Sequence, residues 1–83
     1  MAVYRLYTRK ECITCPGAKN AVLTAGLDVR ILDVETTEGR KEQVKDGAGL
    51  SVPCLIEERN GEITGQWIGK TINQELCEKL KGR

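Results

Sequence analysis

The sequence predicts an α/β domain whose elements follow the order β-α-β-α-β-β-α. Three observations carry this expectation. A strand-forming run at Ala2 to Thr8 turns into a helical pattern near Cys15, the pair Asn60-Gly61 separates two strand-like runs, and a capped apolar repeat closes the chain.

The elements follow in order. Glu11 to Cys15 makes the turn into a first helix, whose apolar positions Ala18, Ala21, Val22 and Ala25 keep the i, i+3, i+4, i+7 spacing of one buried face. Pro16 suits the first turn, where a missing N–H costs nothing, and Gly26 suits the C′ position. Val29 to Val34 is apolar on both faces, as expected of a strand covered on both sides. Strand, helix and strand together predict a right-handed parallel βαβ unit. Glu38 to Gly47 reads as a short exposed helix with one apolar residue, Val44. Pro53 to Glu58 and Glu62 to Ile68, joined by Arg59-Asn60-Gly61, read as an antiparallel hairpin. Thr71-Ile72-Asn73-Gln74 matches a capping box, and Ile72, Leu76 and Leu80 recur behind it, with Lys79 and Lys81 placed to complement the helix dipole.

Length and charge narrow the function. The 83 residues are expected to form a single domain, 1–83, above the size of roughly 55–65 residues at which small domains fold unaided. A disulfide is then chemistry more than scaffold. Four cysteines also fit a secreted framework with three connectivities, but the N-terminus has no apolar h-region and meets Arg5, Arg9 and Lys10 at once. A cytoplasmic location follows as the expectation. Thirteen basic and twelve acidic residues are interspersed, which gives a net charge of +1 and no stripe for nucleic acid. The apolar runs fall far short of the ~20 residues that span a bilayer, so neither nucleic acid nor membrane is an expected partner. A monomer is expected.

Chemistry concentrates in Cys12-Ile13-Thr14-Cys15-Pro16. Two thiols three residues apart at a helix start can bridge, and the unpaired N–H groups there favour a thiolate. Cys12, nearer the loop, is the expected attacking sulfur, with Lys10 and Arg9 adding positive potential. Cys15, one turn deeper, is the expected resolving thiol.

The Tyr7-Thr8-Arg9-Lys10-x-Cys12-x-x-Cys15 entry, the Ser51-Val52-Pro53 segment, the Asn60-Gly61 hairpin and Gly69 before the last helix together resemble the glutaredoxins and small glutaredoxin-like redoxins. The resemblance implies the short thioredoxin fold with a four-stranded mixed sheet, and a dithiol electron carrier that reduces protein or low-molecular-weight disulfides without a bound cofactor. It also implies a cis bond between Val52 and Pro53, with the Val52 backbone pairing with the incoming substrate and Lys10 and Gly69 bordering the same site. Disulfide-containing proteins are the implied partners, and glutathione or a thioredoxin reductase the implied electron source.

Several positions depart from that pattern. Ile68-Gly69-Lys70-Thr71 keeps one glycine of the family's Gly-Gly step and lacks the acidic residue that follows it, which sets specificity for glutathione aside from the rest of the resemblance. Cys54 has two readings: a small core residue, or an extra thiol facing the site. Cys77 reads as packing on the last helix. Trp67 reads as core or as part of a docking surface. The competing function is a thioredoxin-fold module that binds and passes on a metal or iron–sulfur cluster through the same cysteines. A closed four-cysteine zinc site is disfavoured because the chain has no second C-x-x-C and no histidine.

Overall fold

The structure is a computed structural model in which residues 2–49 and 51–82 are described. Its elements are β1 Ala2–Thr8, α1 Cys15–Thr24, β2 Val29–Asp33, α2 Thr37–Lys45, β3 Cys54–Arg59, β4 Glu62–Ile68, a 3-10 turn Gly69–Thr71 and α3 Gln74–Lys81. This is the predicted order. The strands form one four-stranded mixed sheet in the order β2-β1-β3-β4, with β1 parallel to β2 and antiparallel pairing across β1–β3 and β3–β4.

Strand alternation divides β1 and β3 between two faces. Tyr4, Leu6 and Leu55 point to one side, where they pack with Ala18, Ala21 and Val22 of α1 and with Cys77 and Leu80 of α3. Tyr7, Cys54 and Ile56 point to the other side and form a smaller cluster with Leu32 and Val34, against which Ala48 and Val52 pack. Helix α2 lies on that second side. Trp67 packs, half-buried, against the first cluster, which agrees with its reading as core. Cys77 is fully buried there, as expected of a packing residue.

The hairpin is tighter than the sequence suggests. Arg59 pairs with Glu62, so Asn60 and Gly61 alone make the turn, both with positive φ (54° and 81°), as a type I′ turn requires. Beyond it the register slips between Glu57 and Glu58, leaving Thr64 unpaired as the extra residue of a bulge. The Thr64 hydroxyl then donates to Glu57 Oε1 at 2.8 Å, and Tyr4 donates its hydroxyl to Glu57 Oε2 at 2.6 Å. A fully buried carboxylate is thereby accommodated in the sheet.

Two expectations are corrected, and one helix keeps its character with shifted bounds. The strand expected over Val29 to Val34 ends at Asp33 and is an edge strand, not one covered on both sides: Arg30 and Ile31 are exposed because the short polar α2 covers little of it. Helix α2 is short and exposed as expected, but it runs Thr37–Lys45 rather than Glu38 to Gly47; its one apolar residue, Val44, is 69% exposed, and the helix buries Gly39 and Gln43. The capping box at Thr71 is displaced by two residues: Asn73 is the N-cap, accepting from the Leu76 N–H at 2.9 Å, while Thr71 belongs to the 3-10 turn and donates its hydroxyl to the Ile68 carbonyl.

Candidate active site

Cys12 and Cys15 are joined in a disulfide with their α-carbons 5.3 Å apart. The bridge sits where β1 has ended and α1 begins, with Thr14 at the N-cap, Cys15 at the first helical position and Pro16 behind it. Cys15 is 2% exposed, whereas Cys12 remains partly open to solvent and its neighbour Ile13 stands 98% exposed. The order of access matches the sequence reading. Thr14 accepts no cap hydrogen bond through its side chain, and the first turn carries no acidic residue. The positive end of α1 is therefore left for the sulfurs. Thr14 Oγ1 lies 3.7 Å from Cys12 Sγ.

A second segment meets the disulfide from the other side of the sheet. The Val52–Pro53 peptide is cis, and the Val52 carbonyl oxygen lies 3.8 Å from Cys12 Sγ. The N–H of Gly69 donates to the Pro53 carbonyl at 2.9 Å, which ties the 3-10 turn to this loop. Gly69 holds φ at +60°, a conformation that side chains with a Cβ adopt only with strain. Cys12, Cys15, Val52, Pro53 and Gly69, named from sequence, thus come together.

Lys10 lies on a different flank. It is exposed and its backbone N–H donates to Glu35 Oε1 at 3.2 Å. With Arg9, Lys19 and Asp33 it lines a groove of about 190 Å³ that runs past Cys15 and Pro16. A larger groove, about 350 Å³, opens between α1 and the start of α3, bordered by Thr14, Asn20, Gly69, Lys70 and Gln74. Lys70 is its one charged side chain among the described residues.

Protein-family models and curated proteins return no match to this sequence. Solved structures do. The thioredoxin of Fasciola hepatica superposes with a TM-score of 0.79 at 14% identity, covering 99% of this chain and 79% of that one. The glutaredoxin-like NrdH-redoxin of Escherichia coli superposes with a TM-score of 0.65 at 20% identity, covering 94% of this chain and 93% of that one. The chain has the thioredoxin fold. A thioredoxin of Thermus thermophilus adds a TM-score of 0.68 at 18% identity, covering 98% of this chain and 72% of that one.

Within this thioredoxin fold the remaining cysteines stand apart from the disulfide. Cys54 follows the cis-proline directly, but its sulfur turns into the α2-side cluster, where Gln66 Nε2 approaches it at 3.7 Å. Its reading as a core residue is the one the geometry supports. Burial raises the Cys54 thiol pKa, more than the Gln66 hydrogen bond lowers it, and the Asp46 charge raises it further. Burial likewise raises Cys77. These two thiols sit in clusters on opposite faces of the sheet, so the four cysteines do not converge on one point.

Sequence reasoning passed over one group beside this site. Arg5 on β1 directs Nε to Asp46 Oδ2 at 2.6 Å and Nη2 to Asp46 Oδ1 at 2.8 Å, and the Tyr7 hydroxyl donates to the same Asp46 Oδ2. Burial would raise the Asp46 carboxyl pKa, but the bonds from Arg5 and Tyr7 outweigh it and hold the pKa below the usual carboxylate range. The signal was present in part: Arg5 and Tyr7 share a strand face, so an arginine there needs an anion. Which acid answers it was not legible.

Proposed function

We propose that the protein is a small dithiol electron carrier that reduces disulfides, with Cys12 as nucleophile and Cys15 as resolving thiol. The observation that carries this reading is the redox-active pair itself: a disulfide at an uncapped helix N-terminus, one sulfur open and the other sheltered. In the reduced protein the Cys12 thiolate attacks one sulfur of a substrate disulfide, forming a mixed disulfide and expelling the first substrate thiolate, which takes up a proton. The Cys15 thiolate then attacks Cys12 Sγ. The Cys12–Cys15 bond closes, the second substrate thiolate leaves, and two electrons have passed to the substrate.

The cis Val52–Pro53 segment supports a docking role. Among the described residues, neither the amide nor the carbonyl of Val52 has a backbone partner, and the carbonyl lies beside Cys12. An extended substrate can pair with them as an added strand. Gly69 keeps that loop in place through Pro53, and Lys10 and Arg9 add positive potential on the opposite flank.

For the electron source we favour a flavin-dependent thioredoxin reductase over glutathione. The groove beside Gly69 offers Lys70 and amides but no carboxylate to hold the α-amino group of a tripeptide. The structurally similar Escherichia coli redoxin, glutaredoxin-like in description, has a thioredoxin-like activity profile.

The test follows NADPH oxidation with a disulfide-bonded peptide as acceptor. Turnover is expected with thioredoxin reductase and little with glutathione plus its reductase. Cys12→Ser should abolish it, and Cys15→Ser should trap the mixed disulfide. Absence of turnover with both reductants would overturn the carrier reading and leave cluster or metal transfer, which absorbance of anaerobically purified protein then tests.

A further inference from the structure

The two halves of the site hang from different supports. Cys12 and Cys15 are carried by α1, which apolar packing holds to the sheet. Val52 is carried by the loop after α2, and that loop is held by polar groups. Asp46, the C-cap of α2, has a side chain only 5% exposed, and Arg5 grips both its carboxylate oxygens while Tyr7 bonds one of them. Nη2 of the same arginine reaches Glu58 Oε1 on β3 at 2.8 Å. Three elements are thus pinned at one point, where the loop leaves α2.

A second tie lies farther along the loop. Gln43, almost wholly buried in α2, donates Nε2 to the Gly49 carbonyl at 2.9 Å, and its backbone carbonyl accepts from the Ala48 N–H at 3.1 Å. Val52 then packs against the cluster containing Tyr7 and Cys54. Tyr7 therefore bonds Asp46 at the loop's start and belongs to the cluster that Val52 packs against at its end.

We propose that the Arg5–Asp46–Tyr7 clamp, extended by Gln43, is a positioning device that holds the Val52 backbone in register with Cys12 and so sets affinity for extended disulfide substrates without setting the reactivity of Cys12. The proposal rests on the carrier reading above. A bidentate arginine–carboxylate pair specifies one geometry, and a buried one contributes more to that specificity than to net stability. The loop it anchors has glycines at 47 and 49, whose backbones are conformationally permissive, so without the clamp its course is less determined. A displacement of about 1 Å of a docking group is enough to cost up to 100-fold in a reaction that depends on alignment.

Single-turnover kinetics with the pre-reduced full chain test the proposal. The substrates are a disulfide-linked peptide, which pairs with Val52, and Ellman's reagent, a small aromatic disulfide that needs no strand pairing. In Asp46→Asn the half-saturating peptide concentration is expected to rise about tenfold while the limiting rate and the rate with Ellman's reagent stay within about twofold. Tyr7→Phe, which removes one hydroxyl and keeps the ring, should show a smaller shift of the same kind. In both variants hydrogen exchange at the Gly69 amide, which bonds the Pro53 carbonyl next to Val52, should accelerate. An unchanged half-saturation in folded Asp46→Asn overturns the proposal, as does a parallel loss with both disulfides. Should Asp46→Asn fail to fold, Tyr7→Phe decides by the same criteria. A wild-type chain that reduces neither disulfide overturns the carrier reading instead, and Gly69 amide exchange still decides whether the clamp positions the loop.

Discussion

The two faces of the sheet are held by different physics. On the α1 and α3 side, Tyr4, Leu6, Leu55, Val22 and Leu80 make a packed apolar layer, and the one carboxylate it contains, Glu57, is bonded by Tyr4 and Thr64. On the α2 side the apolar cluster is smaller, the helix is attached by Asp46 and the close approach of Gly39, and Gln43 ties the following loop back to it. The disulfide belongs to the first face and the cis-proline loop to the second. A dispersion-packed support answers mainly to lost volume, whereas a charge-paired support answers to pH and to the removal of one partner. The two halves of the site should therefore be separable by experiment.

The largest effect is expected where the apolar layer is broken. Leu55 is fully buried, so Leu55→Ala should cost about 2–5 kcal/mol, read as a lower denaturant midpoint with an unchanged slope. A smaller loss is expected at the seat of α2. A Cβ on Gly39 would stand 1.9 Å from the Asp33 carbonyl oxygen, so Gly39→Ala must push α2 off β2, at a cost of about 1–3 kcal/mol by thermal melting. By contrast, Gly17→Ala on α1 meets nothing within 4 Å and should be tolerated.

Gly69, where the 3-10 turn meets the cis-proline loop, is next in size. A Cβ there has open space, so only the +60° φ opposes it, and Gly69→Ala should cost about 1–2 kcal/mol, with Gly69→Asn costing less. A cost near zero would mean that the turn relaxes without disturbing Pro53.

The subtlest test is titration. Asp46 has a lowered pKa, so the stability it contributes is present above the ordinary carboxylate value of 3.8 and fades as pH falls through the depressed one. Tyr4 is pushed up to about 12 by burial and then by Glu57, so its contribution is present below 10.0 and fades as pH rises through about 12. Burial and Asp46 raise Tyr7 in the same direction. Acid should thus loosen the α2 side first, seen as faster exchange at the Ala48 amide, which bonds the Gln43 backbone carbonyl, before global unfolding, and replacing Asp46 with Asn should erase that early acid step.

Much of this fold was legible because its signals are local. The Asn60-Gly61 turn, Pro16 behind the disulfide and the 3.6-residue repeat of Ala18, Ala21 and Val22 each depend on neighbours within one or two turns of chain. The capping box was misplaced for a related reason: Thr71 and Asn73 are both competent caps, and the bond from Gly69 to Pro53 takes up the first of them in a 3-10 turn. The seat of α2 was not legible, because one apolar residue carries no period and the helix buries Gly39 and Gln43, which no hydropathy pattern marks.

By itself the sequence determined the element order, the two cysteines at the head of a helix and the tight turn of the hairpin, since each is set by backbone preference or by side chains a few residues apart. Tertiary structure alone decided that β2 lies at an edge, that Cys54 turns away from the disulfide, and that Arg5 finds its anion 41 residues away in Asp46. Those outcomes depend on which surfaces meet when the sheet closes. Strand periodicity says that a residue has a face, but only the packed molecule says what that face meets.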